Sequence, residues 1–158
     1  MRYFYNIATA VLYLFVTGCQ YDPFAGDLTT QKPAVNDVCG TYKFERQTVC
    51  KGEVLPVGRQ ATIILNRDGA FQMKNVPDLT DTRDCGGNKL ITAGGHWTME
   101  IVGSVDNGWG DPKSVWGLML TDISGNASIG FMGDEAPYKL IFTYGDPDEG
   151  AVMIFSRK

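Results

Sequence analysis

The chain has 158 residues, 20% of them charged and 44% hydrophobic, with a formal net charge of −4. That mild acidity is ordinary solubility and excludes the basic surface that a nucleic-acid partner requires. Glycine, threonine, valine, isoleucine and aromatics are frequent, and no stretch holds apolar residues at helical spacing for three turns, so the composition is all-β.

The N-terminus comes first. Met1-Arg2 supplies one positive charge, and an apolar run from Ile7 to Val16 is broken only by Thr9. About twenty residues are needed to span a hydrocarbon core, so this run suits the apolar region of a signal peptide instead. It closes on Val16-Thr17-Gly18-Cys19, which resembles the lipobox of bacterial lipoproteins. In that family the cysteine thiol accepts a diacylglycerol and the chain is then cleaved on the amino side of that cysteine. The resemblance implies a signal peptide over residues 1–18 and a lipidated Cys19 at the head of the mature chain. The alternative is a short apolar helix that ends at a cysteine by chance. Losing residues 1–18 removes Arg2 and no acid, so the charge of −4 becomes −5. The residue after Cys19 is Gln20 rather than Asp, which by similarity to enterobacterial lipoproteins implies the outer membrane if the source is Gram-negative.

Residues 19–38 hold two prolines, Pro23 and Pro33, and no periodicity. They read as a lipidated cysteine and a flexible tether, with Tyr21 and Phe24 exposed or lightly packed, or lying at the membrane interface. The folded domain is expected over residues 39–158.

Tyr42 and Phe44 share one face of a first strand, and Thr41, Lys43 and Glu45 the other. Between Ala61 and Met73, Asp68-Gly69 separates two β-forming runs. A tight turn needs positive φ there, which glycine accepts without a steric penalty, so a hairpin is predicted over 60–66 and 70–75. Trp97, Met99 and Ile101 alternate on a fourth strand, leaving His96 outward. Trp116, Leu118 and Leu120 mark a fifth strand, Ala127 to Met132 a sixth, and Leu140, Phe142 and Tyr144 a seventh. After the Gly145–Gly150 turn, a last strand runs from Ala151 to Ser156. There both Ala151, Met153 and Phe155 and their alternates Val152 and Ile154 are apolar.

Eight strands without a helical crossover form a meander, and an even number lets the last pair antiparallel with the first. The expected fold is an eight-stranded antiparallel up-and-down barrel, which removes exposed edges; a β-sandwich is the alternative. Gly40-Thr41-Tyr42, Asp68-Gly69-Ala70-Phe71, Gly95-His96-Trp97 and Gly145-Asp146-Pro147-Asp148 with Phe155 resemble small lipocalin-like domains of bacterial lipoproteins. That resemblance implies a barrel and no particular activity.

The cysteines follow from the meander. Cys39 and Arg46 lie about 23 Å apart along the first strand. The chain from Arg46 to Cys50 reaches back about 14 Å, so Cys39 does not meet Cys50. The loops after strands one and three emerge at the same end and carry Cys50 and Cys85. In an oxidising compartment these are predicted to form a disulfide, leaving Cys39 as a free thiol near the opposite end.

Catalytic signatures are missing from the sequence: no Gly-x-Ser-x-Gly, no His-Glu-x-x-His, and no phosphate loop followed by Lys-Ser/Thr. His96, the one histidine, is expected at the surface. The acidic loops Asp78/Asp81/Asp84, Asp106/Asp111 and Asp146/Asp148/Glu149 do not fit the twelve-residue calcium pattern, and no cofactor or metal is expected. Tyr42, Phe44, Trp97, Trp116 and Tyr144 are the candidate ligand-binding residues, in the interior or at the mouth. Their bulk argues for a largely filled barrel.

The sequence therefore leads to a lipid-anchored, non-enzymatic binding module of the cell envelope. It meets the membrane through Cys19 and an envelope protein or polymer through its loops. The alternative function is a lipocalin-like carrier of a small apolar ligand.

Overall fold

The computed structural model describes residues 22–48, 61–78, 90–106, 110–123, 125–145 and 150–157. Among these, eight strands follow in chain order: β1 (Gly40–Gln47), β2 (Thr62–Leu65), β3 (Ala70–Pro77), β4 (Leu90–Val105), β5 (Lys113–Ile123), β6 (Gly125–Met132), β7 (Lys139–Thr143) and β8 (Val152–Arg157). Each pairs antiparallel with the next, and β8 returns to β1 through pairs such as Phe44 with Phe155. The barrel is closed, as the alternation predicts, and every strand has two neighbours. A sandwich is excluded.

Successive strands reverse, so β1, β3, β5 and β7 all start at one end, here called the lower end, and finish at the upper end. The β2–β3 and β6–β7 turns and the facing ends of β4 and β5 lie at the lower end. The last residues of β1, β3, β5 and β7 and the first residues of β2, β4, β6 and β8 lie at the upper end.

The β2–β3 turn follows from its residues. The Gly69 amide donates to the Asn66 carbonyl at 3.2 Å, and the Ala70 amide to the Asp68 carboxylate at 3.0 Å. Gly69 takes φ 83°, the conformation that only glycine adopts freely, so the loop is a type I turn closed by a left-handed glycine. Register shifts within β1–β8, β3–β4, β4–β5 and β5–β6 bend the strands so that eight can close.

Alternation places Tyr42, Ile63, Leu65, Phe71, Met73, Trp97, Leu118, Leu120, Ile129, Phe131, Leu140, Phe142, Met153 and Phe155 inside, all buried. Ile101 departs from the expectation: it shares a face with Trp97 and Met99 yet is 56% exposed. β3 pairs with β4 only as far as His96, so Ile101 stands on the part of β4 that continues past β3 with β5 alone as neighbour.

Residues 22–38, part of the segment expected to be a flexible tether, lie along the barrel. Pro23 rests against Gly150 at the upper end. A 3-10 turn follows over Ala25–Asp27, and Leu28 bridges Met132 near the lower end. Thr29 then stands between two strands: its amide donates to the Phe131 carbonyl at 3.0 Å, and its carbonyl accepts from the Trp116 amide at 2.9 Å. Its hydroxyl donates to the Gly133 carbonyl at 2.6 Å, which satisfies the buried polar group. Pro33 is buried, and the short helix α1 (Val35–Val38) crosses the lower end with Val38 fully covered. The Arg157 guanidinium donates to the Asp37 carbonyl, tying α1 to the end of β8.

This strap explains why β8 is apolar on both faces. Met153 and Phe155 point inward, whereas Val152 and Ile154 point outward and join Met132 and Ile141 in a second cluster. Phe24 and Leu28 pack over that cluster. Removing such apolar area from water contributes about 25 cal/mol per Å², which offsets the entropy of ordering the strap.

Candidate functional site

The five residues singled out for ligand binding all pack in or against the inner cluster, but they do not meet at one mouth. Tyr42 sits low on β1, fully buried, with its hydroxyl donating to the Val38 carbonyl at 2.7 Å. Burial pushes its phenol up to about 12, because the phenolate would have to form away from water. Phe44 is half-buried and packs edge-to-face on Phe155, with ring centroids 6.1 Å apart. Trp97 is buried, and its indole N–H donates to the Asn66 carbonyl at 3.0 Å, in the β2–β3 turn.

Trp116, half-buried on β5, lies at the strap. The Lys32 ammonium stands 5.0 Å from its ring centroid, a cation–π distance. Tyr144 lies at the other end, just beyond β7. It is buried, edge-to-face with Phe142 at 4.6 Å, and its hydroxyl lies 4.0 Å from the Met153 sulfur. Burial raises its phenol as well. The hydroxyls of Tyr42 and Tyr144 and the Trp97 N–H each have a partner within the chain. Together with Phe71, Phe131 and Phe155, these are buried rings inside the barrel.

His96 points outward, as predicted, and has a partner that the sequence pattern did not identify. Its Nδ1 lies 2.7 Å from the Asp122 carboxylate, across the β4–β5 pair. Asp122 takes φ 66° at the shift between Leu120 and Ile123, which turns its side chain toward the imidazole. The side chains are 73% and 60% exposed. An Asp-oriented histidine is one element of acid–base chemistry, but this one lies on an open wall without the water-excluded surroundings that give such a pair catalytic force.

Cys39 is a free, partly buried thiol at the lower end, and burial pushes its pKa up, away from the reactive thiolate. Cys19, Cys50 and Cys85, and with them the lipidation and the predicted disulfide, lie outside the described residues. Among the described residues no group of three or more His, Cys, Asp or Glu side chains is placed to hold a metal ion. No helix among them is long and apolar enough to cross a membrane.

Sequence reasoning missed the strap residues Phe24, Leu28, Thr29 and Lys32. Their one available signal was the doubly apolar β8, which required a cover without saying which segment supplies it. Comparison with protein-family models, with curated proteins and with solved structures finds no match.

Proposed function

We propose that this chain is a lipid-anchored lipoprotein of the cell envelope, attached through Cys19, whose lipocalin-like barrel is a non-enzymatic binding module. The observation that carries the reading is the filled interior. Tyr42, Phe71, Phe131, Tyr144 and Phe155 are each at most 1% exposed, and the two phenols are partnered inside the chain. A carrier needs space and unsatisfied polar groups facing it. With the inside occupied by its own side chains, the barrel has its outer wall and ends for a partner, an envelope protein or polymer. The exposed His96–Asp122 pair belongs to that outer surface. If the source is Gram-negative, Gln20 favours the outer membrane.

Two measurements test this. Palmitate labelling is expected in the native protein and lost in Cys19→Ala; labelling that persists overturns the anchor. Residues 22–158, exported behind a cleavable signal, are expected to give the bare polypeptide mass in native mass spectrometry. Extra mass released on denaturing would replace the module with a carrier of a small apolar ligand.

A further inference from the structure

We infer that the barrel stands on the bilayer by its upper end, with the lower end, closed by α1, turned away from the lipid. This rests on the proposed acylation of Cys19 and specifies how the anchored domain is presented. The reach of the chain selects the end. The strap is already fixed at Pro23, which lies against Gly150 beside the upper rim, and the Phe24 amide bonds to the Asp22 carboxylate at 2.8 Å. Gly150 belongs to the β7–β8 connection, where its carbonyl accepts the Thr48 hydroxyl at the end of β1.

Only three residue steps separate Asp22 from Cys19. At most about 3.6 Å per residue, they span no more than about 11 Å. The lower end is farther away. β6 runs Gly125–Met132, and seven steps at about 3.3 Å make about 23 Å. With the usual barrel tilt this is about 18 Å along the axis. An acylated Cys19 therefore brings the upper rim to the headgroups and leaves the lower end beyond its leash. Had residues 22–38 been a flexible tether, the domain would tumble freely and no end would be selected.

The rim has a feature suited to that contact. Leu90, the first residue of β4, is 39% exposed at the upper end, where an apolar side chain meets the acyl–headgroup boundary at no cost to solubility. The occupant of this surface is thus the bilayer. What faces the envelope space is α1, the Gly133–Tyr138 loop and the lower part of the β4–β5 pair.

The test uses the two ends of one strand. A fluorophore is placed through an azide-bearing amino acid at Asn126 or at Asp134, both exposed, one at the upper start of β6 and one just past its lower end. The full-length acylated protein is reconstituted in phosphatidylethanolamine–phosphatidylglycerol vesicles carrying a headgroup quencher. Quenching several-fold stronger at 126 than at 134 is the expected result. Inserting twelve Gly/Ser residues between Cys19 and Asp22 is expected to abolish that difference while palmitate labelling stays unchanged. Equal quenching at both positions in labelled, vesicle-bound protein, or stronger quenching at 134, overturns the orientation and leaves the anchor standing. Absence of palmitate from the protein overturns both.

Discussion

The two faces of β8 are equally apolar and are buried by different means. Met153 and Phe155 face a core built from all eight strands, where covering one residue covers the rest. Val152 and Ile154 face outward and are covered by two half-buried side chains of a single segment, Phe24 and Leu28. Closure of the sheet suffices for the first face. The second is buried as completely, but it depends on where a segment remote in sequence comes to lie, so its cover can be removed without opening the barrel. A β strand with no polar face thus has a physical meaning here: it marks a wall with layers on both sides.

Four changes bear on this contrast. Phe155→Ala should be the most damaging, losing about 3–5 kcal/mol of stability through a cavity in the shared core. The measurement is the midpoint of denaturant unfolding. If the loss were no larger than for a strap residue, the two faces would be equivalent after all.

Alkaline pH probes the inner layer through Tyr42. Its folded pKa, raised to about 12, lies above the ordinary value of 10 that an unfolded chain would show. The stabilisation is therefore fully present below pH 10 and declines as pH rises through 10 toward 12, where the unfolded chain has released the proton and the folded one still holds it. The shift corresponds to a loss on the order of 2–3 kcal/mol. Tyr144, raised in the same direction, adds to the fall. Tyr42→Phe should flatten the stability profile over that window, and an unchanged profile would remove Tyr42 from the account.

For the outer layer, Phe24→Ala combined with Leu28→Ala should cost about 1–3 kcal/mol, below the range for fully buried side chains. Hydrogen exchange gives the sharper readout: the amides of Trp116 and Gly133, held by the Thr29 and Asp27 carbonyls, should exchange faster while the amides of the β1–β8 ladder do not. Uniform acceleration would mean that the strap and barrel unfold as one unit. The smallest effect belongs to Glu45→Ala, which removes the exposed 2.9 Å pair with Lys139. Its stability change should stay within about 0.5 kcal/mol, and a larger value would show that the outer wall holds more than the apolar patch.

Much of the fold was legible because alternation reports one bit per residue, inside or outside, and a closed meander turns those bits into a register. Alternation points Tyr42, Trp97 and Leu118 inward, where they are buried, and His96 outward, where it is exposed. The Asp68-Gly69 turn was legible because positive φ restricts the residue type. Ile101 escaped because alternation does not say where the neighbouring strand stops. The strap escaped because Thr29 is held by two strands through backbone groups, which every residue carries, so nothing in Gln20 to Val38 marks the segment as docked. The His96–Asp122 pair escaped for a related reason: it depends on a register shift in β5 that brings residues 26 positions apart into contact.

Residue order specifies an all-β chain of eight strands, the order in which they pair, the identity of its core rings, and a resemblance at Cys19 to a lipid-attachment site. These follow from periodicity and local chemistry, which neighbouring residues encode directly. It takes the folded chain to show that residues 22–38 are a strap, that its start lies at the upper rim and its end across the lower one, and that the candidate aromatics are spread through the core. Those outcomes depend on contacts between segments about a hundred residues apart, such as Thr29 with Gly133, and only the closed barrel brings them together.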